Sequence, residues 1–146
     1  MKILILTISI LILCSCEGLK TLTLHNVSKY ESRVTLKPRL ENFESEILTA
    51  DYNIERADST TIILKPDSSI TLLTTFTVLL FNRGIKERDL YMNYLKIEND
   101  NDTIVANSKR EIISLLKDPK TRFIRRLDKD KVDYNGKNVG NIFIRN

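Results

Sequence analysis

The chain has 146 residues, a length that fits one domain, and 42% of them are hydrophobic, which argues against a disordered tether. Two cysteines and one histidine are too few for a disulfide-rich scaffold or a typical zinc site. The formal net charge of +4 is uneven, because residues 109–146 carry 11 basic and 5 acidic side chains. This polarity bears on solubility and partners and not on the fold.

The amino-terminal segment has the pattern of an export signal. Lys2 is followed by an apolar run from Ile3 to Leu13 that only Thr7 and Ser9 interrupt. A short basic start, an apolar stretch and a small residue at its end are typical of a removable leader. A membrane-spanning helix needs about 20 apolar residues, which is well beyond the length of this run. The sequence therefore predicts a leader and not a permanent anchor.

The end of this leader resembles the lipobox of bacterial lipoproteins. That family has Leu three positions before the modified cysteine and a small residue directly before it, and Leu13 and Ser15 place Cys16 in this pattern. Cys14 follows Leu13, which is too large for a cleavage site. The resemblance implies cleavage before Cys16, a diacylglycerol on its sulfur and a further chain such as palmitate on its amine. Two or three acyl chains on one residue hold a protein stably at a membrane.

The resemblance divides the chain into three parts. Residues 1–15 are the signal peptide, residues 16–20 the lipidated amino terminus with a short tether, and residues 21–146 a single β-rich domain. Processing removes Cys14 and commits Cys16 to lipid, so burial of apolar side chains alone must stabilise the domain. The alternative is an ordinary secretory signal that happens to contain cysteines.

The first half of the domain has the alternation of β-strands. Residues 21–25 place Leu22 and Leu24 on one face, and residues 33–36 form a second strand that Pro38 ends. Residues 40–55 fit either a helix or an extended segment.

Residues 60–65 and 70–81 predict two strands joined by a turn that starts with Pro66. Strict alternation places Ile70, Leu72 and Phe76 on one face of the second strand. The opposite face of residues 73–81, with Tyr91 and Tyr94, is expected to form either a second buried layer or a protein-binding surface.

Residues 90–97 and 103–106 predict a hairpin around the acidic turn at residues 98–102. One short helix follows, over residues 108–118. It starts at a capping box, in which Ser108 accepts from the N–H of Glu111 and Glu111 reaches back to the N–H of Ser108. Pro119 lies beyond its end.

The last part of the chain contains one ambiguous segment and one strong turn signal. Residues 121–127 fit a helical stripe, but two adjacent arginines favour an edge strand. Asn135-Gly136 predicts a hairpin turn, and residues 141–145 a closing strand.

The residue types of catalytic and metal sites do not assemble into a recognisable motif. His25 lies opposite the leucines of its strand and is expected to be an exposed or a hydrogen-bonded strand residue. The acidic turn at residues 98–102 lacks the glycine and terminal glutamate of a calcium loop, so a polar hairpin turn is expected. The carboxylates are scattered through turns, and no nucleophile elbow or phosphate loop is present. We expect no enzyme activity and no cofactor.

The basic segment is the remaining candidate for a contact surface. Its cations could face anionic lipid head groups and orient the domain on a membrane. The candidate contacts are Lys120, Arg122, Arg125, Arg126 and Lys129. The alternative is a solvated helix face beside an edge strand that its charges keep from pairing.

Together these features predict a mainly β protein, an antiparallel β-sandwich with an immunoglobulin-like strand pattern and one short helix. The expected function is a lipid-anchored, non-enzymatic binding or assembly module of the cell envelope. Its partners would be a membrane, through the lipid, and an envelope protein, but not nucleic acid. Glu17 with no acidic run after it argues against surface display, and the expected location is the periplasmic face of the outer membrane. The alternatives are a surface-displayed or stress- or carbohydrate-related accessory protein, and a hydrolase.

Overall fold

A computed structural model describes most of the predicted domain. The described residues are 17–39, 52–56, 58–78, 84–122, 124–127, 130–133, 135–136 and 138–145. The leader with its lipobox, and residues 40–51, lie outside them. Over the described residues the protein is mainly β, with two sheets arranged as a β-sandwich and one α-helix, which confirms the predicted fold class.

The smaller sheet has the first described strand at its centre. Strand β1 (Glu17–Asn26) pairs antiparallel with β5 (Ser69–Val78) on one side and parallel with β10 (Val139–Ile144) on the other. The sandwich is therefore antiparallel except for this pair among the described strands. A parallel pair needs a long connection, and here nearly the whole domain lies between the two strands.

The larger sheet is antiparallel and has five described strands. Their spatial order is β3 (Tyr52–Arg56), β4 (Thr60–Leu64), β2 (Ser32–Lys37), β6 (Tyr94–Glu98) and β7 (Thr103–Ala106). Strands β6 and β7 form the predicted hairpin around the acidic turn. Residues 52–55 of the ambiguous segment at 40–55 belong to β3 and are therefore extended.

Three further elements lie beside the two sheets. Strands β8 (Ile124–Leu127) and β9 (Asp130–Asp133) form a separate two-stranded sheet, so the segment after residue 121 contains a strand. Helix α1 (Lys109–Leu115) follows β7, and a 3₁₀ turn at Glu87–Asp89 precedes β6.

One core lies between the sheets. Alternate residues of each strand point inward, as in Val34 and Leu36 of β2 and Leu22 and Leu24 of β1. Ile112 of α1 is also fully buried. The helix therefore docks its apolar face on the sandwich, as its short length requires.

A β-bulge in β5 changes which side chains reach this core. Leu22 pairs with Leu73 and Thr23 pairs with Thr71, so Leu72 has no partner of its own on β1. The extra residue shifts the alternation by one position. Phe76, predicted on the face of Ile70 and Leu72, therefore points outward and is 80% exposed. The predicted face of Phe76 was wrong because strict alternation has no place for a bulge.

Strand β1 also begins earlier than the sequence indicated. Residues 17–20, expected in the tether, pair with residues 75–78 of β5 and belong to the sheet. Their polar composition suggested a linker, but backbone pairing with β5 extends the strand through them. The sheet thus begins at the residue that follows Cys16.

Two local predictions near the middle and end of the chain need correction. Residues 90–93 precede β6, where Leu90 and Met92 are buried without belonging to a strand. Asn135-Gly136 does not join a hairpin, because β9 pairs with β8 and β10 pairs with β1. The Asn135 side chain instead donates to Leu116 O and accepts from the N–H of Asn141.

Helix α1 starts where the capping motif placed it. Ser108 Oγ accepts from the N–H of Glu111 at 3.2 Å, as predicted. The reciprocal bond goes to a different donor, because Glu111 Oε2 accepts from the N–H of Asn107 at 2.7 Å. The two bonds satisfy donors at the start of the helix that have no partner within it.

Asn26 joins the two sheets through a fully buried side chain. Its Nδ2 donates to the carbonyl oxygens of Tyr30, Leu64 and Lys65 at 2.9 to 3.1 Å. Its Oδ1 accepts from the N–H and hydroxyl of Ser28. Since Leu64 belongs to β4, one amide fixes the end of β1 against the larger sheet.

Replacement of Asn26 tests this link. We expect Asn26→Ala to lower the free energy of unfolding by about 3 kcal/mol, because several buried carbonyl and hydroxyl groups lose their partner together. The measurement is urea unfolding followed by circular dichroism. Asn101→Ala, in an exposed turn, is the control and should change stability by less than about 0.5 kcal/mol. Equal effects of the two variants would contradict the role of Asn26.

Candidate functional site at the start of the first strand

The predicted lipidation residue, Cys16, lies outside the described residues but is covalently bound to the first residue of β1. Glu17 and Gly18 pair with Val78 and Thr77 at the end of β5. Whatever is attached to Cys16 is therefore one peptide bond away from a hydrogen-bonded sheet. The start of β1 is thus the part of the fold that an attachment at Cys16 would hold.

A buried ion pair lies at this end of the strand. Lys20 is fully buried, and its Nζ lies 2.7 Å from Oδ2 of Asp89, whose side chain is 9% exposed. Lys20 occupies the inward register position that Leu22 and Leu24 continue along β1. A charged ammonium at such a position requires a charged, hydrogen-bonded partner.

The 3₁₀ turn at Glu87–Asp89 positions the carboxylate. Asp89 N donates to Lys86 O at 2.9 Å, and Lys86 N donates back to Asp89 Oδ2 at 2.8 Å. One carboxylate oxygen thus accepts both from this backbone amide and from the Lys20 ammonium. The turn thus fixes the Asp89 carboxylate where it can pair with Lys20, which is 69 residues away in sequence.

These contacts lower the pKa of Asp89. Burial of the carboxyl by itself raises its pKa, because it disfavours the charged form. The hydrogen bonds from Lys20 and from the Lys86 amide, with the charges of Lys20 and Arg88, outweigh that effect and bring the pKa below its ordinary value. Asp89 is therefore ionised at neutral pH and stabilises the folded state in that form.

Sequence reasoning missed both members of this pair. The signal for Lys20 was present, since the spacing Lys20, Leu22, Leu24 gives three positions on one face of a strand. The predicted strand began at Thr21, however, and this assigned Lys20 to the tether. No local signal identifies Asp89, because only the tertiary fold brings its turn to β1.

The structure places Lys120, one of the predicted anionic-surface contacts, apart from this end. Lys120 is exposed and lies 3.7 Å from Asp102. The backbone carbonyl of the next residue, Thr121, accepts a hydrogen bond from the N–H of Phe143. Phe143 is the register partner of His25, near the far end of β1. Since β1 has ten residues, that end is about 30 Å from its start.

The other predicted contacts are not brought together by the described residues. Arg122 is half-buried, and its carbonyl accepts from the Arg145 guanidinium. Arg125 and Arg126 lie in strand β8. Lys129 lies outside the described residues. A common surface for these five cations therefore stays a prediction.

His25 is a structural residue of the outward face. Its Nε2 lies 2.8 Å from Asn141 Oδ1, and its ring stacks on Phe143 with centroids 4.8 Å apart. An Oδ1 atom can only accept, so Nε2 donates in this pair. His25 lies opposite the leucines of β1, which confirms the predicted face, and of the two expected alternatives, an exposed or a hydrogen-bonded residue, the structure shows the hydrogen-bonded one.

The acidic segment at residues 98–102 is a polar hairpin turn, as predicted. Asn99 Oδ1 accepts from the N–H groups of Asn101 and Asp102, and Asp102 Oδ1 accepts from the N–H of Thr103. Glu98 forms a surface ion pair with Lys96 at 2.6 Å. Within the described part of the chain, no group of three His, Cys, Asp or Glu side chains could hold a metal ion.

A cleft of about 430 Å³ lies at the end of helix α1, between the turn after the helix and the segments at residues 84–85 and 135–136. Ile85, Ile113 and Leu116 form its apolar floor, and Lys117 and Arg122 lie among its polar lining residues. Gly140 of β10 allows Ile85 and Leu116, which lies directly after the helix, to approach the strand closely. A Cβ atom at that position would lie 2.8 Å from Ile85 Cδ1 and 2.9 Å from Leu116 Cδ2.

Comparison with known proteins gives no relative from which a function could be transferred. The chain matches no protein-family model, no curated protein and no solved structure. Among the residues that the structure describes, no helix has both the length and the apolar character needed to cross a bilayer.

Removal of the Asp89 charge tests the buried ion pair. We expect Asp89→Asn to lower the free energy of unfolding at neutral pH by about 3 kcal/mol, because the buried ammonium of Lys20 loses its counter-charge. Glu98→Gln is a matched control, since the Lys96–Glu98 pair is similarly short but about one third exposed. It should change stability by less than about 1 kcal/mol. Similar losses in both variants would refute a special role for burial.

The pH dependence of stability provides a separate test. The folded-state pKa of Asp89 lies below its ordinary value, so its contribution is present above the unfolded pKa of about 3.9 and is lost as the pH falls further. The stability difference between wild type and Asp89→Asn should therefore be constant near neutral pH and shrink below about pH 4. Urea midpoints of both proteins across this range measure it. A stability difference between the two proteins that grows on acidification would contradict the lowered pKa of Asp89.

Proposed function

We propose that this protein is a lipid-anchored component of the bacterial cell envelope and acts there as a non-enzymatic binding or assembly module. The observation that carries the proposal is the sequence Leu13-Cys14-Ser15-Cys16 at the end of a basic-apolar leader. Acyl chains on Cys16 would hold the domain at the periplasmic face of a membrane, most simply the outer membrane.

The start of the fold supports attachment at Cys16. Strand β1 begins at Glu17 and is central in its sheet, with partners on both sides from Thr21 onward. The buried Lys20–Asp89 pair and the Asn26 network fix the two ends of the same strand. A load on Cys16 would thus be transmitted directly into the best-connected strand of the smaller sheet and not into a loose terminus.

The engagement of polar side chains supports a binding role over catalysis. His25 is held by Asn141 and Phe143, Asp89 by Lys20, and Asp102 by the backbone of its own turn. General acid or base catalysis needs a titratable group within reach of a substrate. These groups are instead used to hold strands and turns together.

The experiment that tests this proposal compares two cysteine variants of the full chain in a bacterial host. We expect the wild type and Cys14→Ala in the carbonate-washed membrane fraction, each with a mature amino terminus at acylated Cys16. Cys16→Ala should lose the acyl groups and leave that fraction, because the remaining apolar run is short for a bilayer. Mass spectrometry of the amino-terminal peptide is the measurement.

The two variants separate the lipid anchor from its alternatives. Unchanged membrane fractionation of Cys16→Ala would defeat the assignment. A bare amino terminus, an intact leader, or acylation at Cys14 in the wild type would do the same.

A further inference from the structure

Two large apolar side chains face outward at the start of β1. Leu19 and Phe76 are directly opposite each other in the β1–β5 register. Leu19 is 43% exposed and Phe76 is 80% exposed. Opposed side chains on one face of an antiparallel pair lie in contact distance. The two residues therefore form one apolar patch, here named the Leu19–Phe76 patch.

On the side away from Cys16, the surroundings of this patch are uncharged. The next outward row of the sheet consists of Thr21, Thr74 and Val139, which are register partners across the three strands. On the side toward Cys16, Glu17 continues the outward alternation of β1 and is the register partner of Val78. The nearest described cation on β1, Lys20, is turned inward and neutralised by Asp89. The patch thus lies between a row of apolar and hydroxyl residues and the register position of Glu17.

The patch is close to Cys16 whatever path the chain takes before β1. Leu19 is three positions after Cys16, and an extended chain spans at most about 3.6 Å per residue. The Cα atoms of these residues are therefore within about 11 Å of each other. Interfacial elements bury their apolar side chains about 5–10 Å deep in the head-group and acyl boundary. A lipid on Cys16 would bring the patch to that depth.

We propose that the outward face at the start of β1 rests on the membrane, with the Leu19–Phe76 patch in contact with lipid. This inference rests on the proposed lipid anchor and adds an orientation to it. The anchor confines the domain to the membrane surface, and the patch determines which face of the domain contacts the membrane. The occupant is lipid, because the covalent position of Cys16 brings lipid to this patch before any other partner.

The absence of tryptophan from the chain permits a direct test. Phe76→Trp places a single fluorophore in the patch at an exposed position that accepts a larger ring. Tyr30→Trp places a matched one beyond the other end of β1, where Tyr30 is also exposed. Each full-length variant is expressed in bacteria, extracted with its lipid and reconstituted in phosphatidylethanolamine–phosphatidylglycerol vesicles, with or without bromine on the acyl chains. Bromine quenches only a tryptophan that contacts the chains.

We expect brominated lipid to reduce the emission of Trp at position 76 by about twofold and to leave the Tyr30→Trp variant unchanged, because only the patch reaches the acyl boundary. Leu19→Trp gives a second probe of the same patch and should also be quenched. If one of the two substitutions perturbs the pairing of β1 with β5, the other variant still tests the lipid contact.

Three outcomes would overturn the proposal. No quenching at positions 19 and 76 in acylated protein would remove the lipid contact and leave the anchor in place. Blue-shifted but unquenched emission would show that a second copy or a protein partner covers the patch. Absence of acyl groups on Cys16, detected by mass spectrometry of the same samples, would remove the anchor and the orientation together.

Discussion

A lysine with no access to water shapes the end of the fold where the chain enters the sheet. Lys20 occupies a core-facing position of β1, and its ammonium is compensated by Asp89 at 2.7 Å. The cost of removing both charges from water is offset only because the 3₁₀ turn supplies a carboxylate that is already held by a backbone amide. The pair joins the start of β1 to the segment before β6, which the sheet hydrogen bonds do not connect. The position of β1, and with it the direction of residues 17–20, depends on this contact.

The bulge in β5 decides what the same end of the sheet shows to its surroundings. With Leu72 inserted opposite the step from Leu22 to Thr23, the remaining residues of β5 exchange faces. Thr75 turns toward the side of Lys20, and Phe76 turns outward beside Leu19. Without the bulge, strict alternation would leave a threonine outside and Phe76 in the core. The inward lysine and the outward apolar pair are thus two consequences of one register, which places the Leu19–Phe76 patch near Cys16.

The far end of β1 is held differently, by neutral hydrogen bonds. The Asn26 amide contacts the turn after β1 and the last residues around β4, while His25 packs on β10 through Asn141 and Phe143. A neutral amide can satisfy several buried carbonyls without a desolvated charge. The two ends of the strand therefore respond to different conditions, because acid weakens the Lys20–Asp89 pair and leaves the Asn26 network unchanged.

The sequence by itself determined the mainly β class, the strands at residues 33–36 and 60–64, the β6–β7 hairpin, the cap of α1 at Ser108 and the face of His25. Each of these depends on side chains a few residues apart, whose periodicity or capping chemistry is visible locally. Only the tertiary structure decided the parallel pairing of β1 with β10, the burial of Lys20 against Asp89 and the outward turn of Phe76. The turn signal of Asn135-Gly136 was overruled in the same way, since the Asn135 side chain bonds to Leu116 and Asn141. These features join segments distant in the chain, or depend on one inserted residue, so no local pattern records them.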